Sequence, residues 1–147
     1  MASDKYPKVA VDVVISDDKN RILLVKRRHD PFKGKYVLPG GMVEYGETVE
    51  KAATREAKEE TGLDVELEGI LGVYSDADRD PRGHTVSIVF FGTAKKGKPT
   101  GSDETEDVAF RSLSEIENLD IGFDHATMIE DFKIIYMDEE TGKVQKK

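Results

Sequence analysis

Apolar and polar positions along the chain alternate between two periods, and the changes of period mark out its elements. KVAVDVVI (8–15) and RILLVKR (21–27) are rich in β-branched residues, and SDDKN (16–20) between them favours a turn, so a β-hairpin is expected. VELEGILGVY (65–74) sets Val65, Leu67, Leu71 and Val73 on one side of a period of two, as in a half-buried strand. HTVSIVFFGTA (84–94) is the most β-prone segment and is expected near the centre of the sheet. KKGKPTGSDETED (95–107) is polar, contains Gly and Pro, and reads as a loop. From Asp124 to Met137 the spacing of Ala126, Ile129, Phe132 and Tyr136 predicts an amphipathic helix capped by Asp124. The last ten residues, DEETGKVQKK (138–147), read as a frayed end. No repeat or linker divides the chain, so 1–147 is expected to form one domain, an α+β or α/β sandwich.

The segment between 48 and 63 departs from ordinary patterning. With Thr48 as N-cap and Gly62 as the left-handed residue at the C-terminus, a helix over 49–61 places Val49, Ala52, Ala53, Ala57 and the following Leu63 on one side. Glu56 and Glu60 fall in the middle of that apolar side, Lys51, Thr54 and Lys58 lie opposite, and Arg55 and Glu59 lie on a flank. A run such as REAKEE is ordinarily a solvated face with Glu–Lys pairs, yet its apolar neighbours turn two of these carboxylates inward. Inward-facing carboxylates must be paired or must coordinate metal, because burying them alone costs several kcal/mol, on the order of a full protein's stability margin.

Composition narrows the chemistry. The net charge of -8, from 22 basic and 30 acidic residues, argues against binding a nucleic-acid polymer or an anionic membrane. There is no cysteine, which removes disulfides and thiolate metal sites and fits a cytoplasmic setting. Neither a signal peptide nor an apolar run of roughly 20 residues is present. Clustered carboxylates are hard oxygen ligands suited to Mg²⁺ or Mn²⁺, and metal-assisted attack on a phosphate ester or anhydride is their natural use.

The spacing is specific. Gly41 is followed after five residues by Glu47, then after seven by Arg55-Glu56-Ala57, then after one by Glu59-Glu60, then after one by Gly62-Leu63. This resembles the Nudix box at every fixed position, and DPFKGKYVLPGG (30–41) resembles the lead-in of many Nudix hydrolases. The resemblance implies a Nudix αβα sandwich around a mixed β-sheet, with residues 41–63 forming a loop, helix and loop. It implies Mg²⁺, with Mn²⁺ as a possible substitute, held by Glu56, Glu59, Glu60 and the Gly40 carbonyl. Arg55 and Glu47 would hold Glu56 in its productive rotamer. The implied reaction is attack of a metal-activated water on the pyrophosphate of a nucleoside diphosphate joined to another group. The resemblance leaves the general base either a box glutamate or an acid on the loop GSDETED (101–107), and on that loop Glu106 is expected first and Glu104 second.

Substrate contacts must come from outside the box. Arg79, Arg82 and His84, in YSDADRDPRGHT (74–85), form the densest cationic cluster of an acidic chain. Pro81 and DRDPRGHT resemble the corresponding segment of small microbial ADP-ribose pyrophosphatases. Arg27 and Arg28 end the second strand and face either phosphate or an ion-pair partner. Glu44 contacts a ribose hydroxyl or solvent, Phe32 and Tyr36 are assigned to the core, and His29 and His125 to the surface and a helix cap. The expected ligand is a small-molecule nucleotide, foremost ADP-ribose cleaved to AMP and ribose 5-phosphate. An antimutator (d)NTP pyrophosphohydrolase, a diadenosine polyphosphate hydrolase and a non-catalytic ADP-ribose or nucleotide sensor stay open, as does a homodimer.

Overall fold

The structure is a computed structural model that describes residues 6–94 and 97–137; the end segment expected to fray, 138–147, lies outside the described residues, as do Lys95 and Lys96 of the polar loop. Seven strands form one mixed sheet: β1 (Lys8–Ser16), β2 (Ile22–Arg27), β3 (Tyr36–Val37), β4 (Gly40–Met42), β5 (Val65–Tyr74), β6 (Thr85–Ala94) and β7 (Thr105–Arg111). The helices are α1 (Val49–Thr61), α2 (Leu113–Ile116) and α3 (His125–Tyr136). The sheet runs β3-β2-β1-β6-β5, with β4 also on β1 and β7 on β2. Strands β1 and β6 pair in parallel, and the remaining pairs are antiparallel.

Strand β1 lies inside the sheet and is covered on both faces, which is why its sequence is apolar almost throughout. Its Val11, Val13 and Ile15 join Ala52, Ala53 and Ala57 of α1 in one core layer. Val14, with Leu24 and Val89, joins Met128, Ile129 and Phe132 of α3 in the other. The helices therefore flank the sheet as the resemblance implies. Alanine on α1 brings the helix axis close to the sheet, and with it the two glutamates that share its inner side.

The turn after β1 forms as expected: an Asp17 carboxylate oxygen accepts from the amides of Lys19 and Arg21 at 3.0 and 2.8 Å. β6 is an interior strand between β1 and β5. The simple alternation read into β5 does not hold. Register shifts between Leu67 and Gly69 and between Ile70 and Gly72 change its phase. Leu67 consequently packs on the α1 layer and Leu71 on the α3 layer, while Val73 is exposed. The polar loop also ends earlier than expected, because Thr105, Glu106 and Asp107 already belong to β7. Among the described residues no helix is long and apolar enough to cross a membrane.

Candidate active site

Helix α1 has the ends its sequence calls for. The Thr48 hydroxyl accepts from the Lys51 amide at 3.1 Å, and Gly62 takes φ 75° and donates to the Lys58 carbonyl. Ala52, Ala53 and Ala57 are fully buried, which fixes the helix's rotation and turns Glu56 and Glu60 toward the strands. The consequence is desolvation. Burial pushes Glu56 up to about 7, with Glu59 adding to the rise and Arg55 opposing it. It pushes Glu60 up to about 8, reinforced by Glu56 and Asp12 and opposed by the Gly40 amide. That amide donates to a Glu60 carboxylate oxygen at 2.8 Å. Glycine at 41 leaves room for the Glu56 carboxylate, which a methyl group there would overlap.

Arg55 organises the flank. Its Nε and Nη2 donate to the two oxygens of Glu47 at 2.6 and 2.9 Å, a bidentate pair. Nη1 donates to Glu59 at 2.8 Å and stands 3.5 Å from Glu56, while Nη2 also reaches the Met42 carbonyl at 3.1 Å. These hydrogen bonds hold the Glu47 carboxyl down at about 2. Arg55 also stands 3.6 Å from Glu44, so it is shared by four carboxylates and cannot neutralise Glu56 alone.

As placed, no three His, Asp or Glu groups among the described residues stand close enough to grip one ion, since Glu59 turns to Arg55 and Glu60 to Gly40. The donor set nevertheless fits a divalent cation. Glu56 and Glu60 are adjacent hard-oxygen groups whose charged forms burial disfavours, and a doubly positive ion would reverse that shift.

These carboxylates open on a cleft of about 530 Å³, a volume in the range of small-molecule sites. Glu56 and Glu60 line it together with Arg27, Arg82, Phe123 and Glu104. The guanidinium of Arg27 lies 5.4 Å from the centre of the Phe123 ring and that of Arg82 lies 5.6 Å from it. Burial and the nearby Arg82 charge both lower the Arg27 pKa. Two cations gathered at one ring, in a cleft that desolvated carboxylates also line, suit an anionic ligand.

Several expected contacts are placed otherwise. Arg79 lines the cleft, but it is nearly buried and its guanidinium pairs with Asp124 through two hydrogen bonds of 2.8 Å. Burial alone would lower its pKa, but the Asp124 carboxylate outweighs it and raises it. That pair takes the Asp124 side chain away from capping α3, where it makes no cap hydrogen bond. His84 is exposed, against the Ser75 carbonyl, and is not among the cleft residues. Glu106 stands 3.7 Å from Lys26 and does not line the cleft, whereas Glu104 does. Arg28 turns to the loop, donating from Nη2 to the Thr105 carbonyl at 2.8 Å. Glu44 reaches the cleft edge, and exposed His29 lies at its mouth. Phe32 packs against Phe123 with ring centroids 4.4 Å apart and the rings tilted by 56°, while Tyr36 packs on the α3 core layer.

Sequence reasoning missed two groups. Asp12, on β1, lines the cleft beneath Gly40. His125 is a buried cleft residue rather than a surface or capping one. A lone Asp inside an otherwise apolar strand was the available signal for the first; nothing local marks the second.

A cleft lined by inward carboxylates together with arginines suits the handling of a phosphate-bearing ligand. Comparison makes the class definite: residues 6–132 match the NUDIX domain, and the chain belongs to that family. It is 50% identical to the ADP-ribose pyrophosphatase of Methanocaldococcus jannaschii over 127 residues, covering 86% of this chain and 73% of that protein. Among solved structures it resembles the NUDIX domain of Shewanella oneidensis NrtR complexed with ADP-ribose, with TM-score 0.80, 26% identity and 88% of each chain covered. It also resembles a bifunctional NMN adenylyltransferase/ADP-ribose pyrophosphatase from Francisella tularensis, complexed with AMP and a manganese ion. There the TM-score is 0.77 at 29% identity, with 92% of this chain and 42% of that one covered. Nudix hydrolases use divalent metals.

Proposed function

We propose that this chain hydrolyses the pyrophosphate bond of ADP-ribose to AMP and ribose 5-phosphate, with Mg²⁺ as the metal and Mn²⁺ as a substitute. The observation that carries this reading is that Glu56, Glu60, Arg27 and Arg82 line one and the same cleft. The 50% identical archaeal ADP-ribose pyrophosphatase supports the choice of substrate. Glu56, Glu59, Glu60 and the Gly40 carbonyl are the groups that would hold the metal. When bound, Mg²⁺ supplies charge neutralisation at the phosphate oxygens and lowers the pKa of a bound water.

The chain's own residues do the rest. Arg55, held by Glu47, keeps Glu56 and Glu59 in place. Arg27 and Arg82 bind the diphosphate oxygens, and Glu44 at the cleft edge meets a ribose hydroxyl. Arg79 serves by fastening the loop that carries Arg82 to the start of α3, and His84 lies outside the contact set. Glu104, already in the cleft and adding its charge to that of both Glu56 and Glu60, takes a proton from water as the water oxygen attacks phosphorus. The bridging P–O bond breaks and its electron pair leaves with the departing phosphate. Glu106, opposite Lys26, is second in order for that role.

A phosphatase-coupled phosphate-release screen tests this over ADP-ribose, (d)NTPs including an oxidised guanine form, diadenosine polyphosphates and nucleotide sugars. Preference for ADP-ribose supports the proposal. Preference for a triphosphate replaces the substrate while keeping the chemistry, and binding of ADP-ribose without turnover moves the protein to the sensor class.

A further inference from the structure

A buried polar chain runs along the inner lining of the cleft and joins β1, β6 and the start of α3. His125 opens α3 and is 4% exposed, Asp12 on β1 is 8% exposed and Ser87 on β6 is fully buried. The Leu38 amide donates to Nδ1 of His125 at 3.0 Å. An imidazole nitrogen that accepts carries no proton, so the other, Nε2, holds it. That Nε2 points at Asp12, 3.6 Å from Oδ1, and the other Asp12 oxygen accepts from the Ser87 hydroxyl at 2.6 Å.

The Leu38 amide leads directly into the metal-facing backbone. Pro39 has no amide to offer, and its carbonyl accepts from Val13 at 2.9 Å. Gly40 then donates to Glu60 and lies on Asp12, so close that a side chain on it would overlap both the Asp12 carboxylate and the β1 backbone. The segment 38–40 is therefore fixed at three successive points, by His125, by Val13 and by Glu60. The His125 point is the one supplied by a side chain outside the sheet and the box helix.

We infer that His125 is a positioning residue for the reaction, holding the Leu38–Gly40 segment so that the Gly40 backbone and the Glu60 carboxylate keep their relative places. It acts through the Leu38 amide. Its neutral form is the working one, because only an unprotonated Nδ1 can accept that amide. This inference rests on the proposed hydrolysis for its activity readout only.

The test compares three variants of the full chain. His125→Asn retains an acceptor oxygen near the place of Nδ1, His125→Leu has none, and Ser87→Ala disturbs the same buried chain from its far end. Amide hydrogen exchange at Leu38 and Gly40 is read by NMR without added metal, and kcat and KM are read for the substrate turned over. The expected result is exchange at both amides faster by about tenfold or more in the leucine variant, with kcat lower by about 10- to 100-fold and KM within about twofold of wild type. The asparagine variant recovers most of both readouts, and Ser87→Ala leaves them near wild type. Equal losses in the asparagine and leucine variants, or the same loss in Ser87→Ala, would show a merely structural role and overturn the inference. So would unchanged exchange in the leucine variant. Should that variant not fold, the asparagine variant decides by itself: loss of Leu38 and Gly40 protection there refutes the acceptor role. If wild-type protein does not turn over ADP-ribose, the proposed function fails while the exchange measurement still decides the role of His125.

Discussion

Replacing Glu60 by glutamine should make the metal-free protein more stable and the enzyme far slower. Burial holds the Glu60 carboxyl at about 8 in the folded chain against 4.5 for the free group. In the unfolded chain the proton leaves near 4.5, so between about 4.5 and about 8 the folded state binds more protons. Stability contributed by this group is complete below 4.5 and declines as pH rises toward 8. At roughly 1.4 kcal/mol per pH unit the ceiling is about 4–5 kcal/mol; with relaxation and water entry, on the order of 2 kcal/mol should remain. Glutamine cannot ionise, and its amide oxygen can still accept from the Gly40 amide that Glu60 now engages. Urea unfolding in chelator should therefore show Glu60→Gln more stable than wild type at pH 8 and equal to it near pH 4.5. Added Mg²⁺ should raise the wild-type midpoint at pH 8 and leave the variant's nearly unchanged, while turnover of the variant falls by at least about 100-fold. A variant less stable than wild type at pH 8, or one with near-normal turnover, would refute the claim that Glu60 is a desolvated carboxylate awaiting a cation.

Further outcomes rest on particular contacts. Gly41→Ala should displace the Glu56 carboxylate, whose place the new methyl takes; because a flexible side-chain end gives way, Tm should change little while kcat falls by about 100-fold. Glu104→Gln should lower kcat by about 100-fold, and Glu106→Gln, which loses only its approach to Lys26, by less than about threefold; the reverse order would return the base to Glu106. Arg79→Ala leaves Asp124 without its bidentate partner and should cost about 3 kcal/mol in denaturant unfolding. Arg82→Ala should raise KM for the substrate and, because it strips the buried Asp80 carboxylate of a bidentate partner, should also lower stability by about 1–3 kcal/mol.

What could be read from sequence depended on how local the signal was. The box helix was legible down to its caps because its departure from amphipathic patterning lies within a few turns: Glu56 and Glu60 sit among alanines. The β1–β2 hairpin was legible from SDDKN for the same reason. Strand β7 was hidden because its first residues, Thr105, Glu106 and Asp107, read as a continuation of an acidic loop. Its partner β2 lies far away in the chain. The ion pair of Arg79 could not be read because its partner, Asp124, is 45 residues distant. His125 read as a surface or capping group because its partner, the Leu38 amide, is 87 residues distant. In β5 the two bulges re-phase an alternation that a period-two reading takes as continuous.

The most direct test of the proposed hydrolysis is the rate of AMP formation from ADP-ribose by purified protein in Mg²⁺, with ADP-ribose binding measured alongside. The expected result is equal yields of AMP and ribose 5-phosphate, abolished by chelator and reduced by at least about 100-fold in Glu56→Gln. ADP-ribose that binds in the cleft and is recovered intact would contradict it.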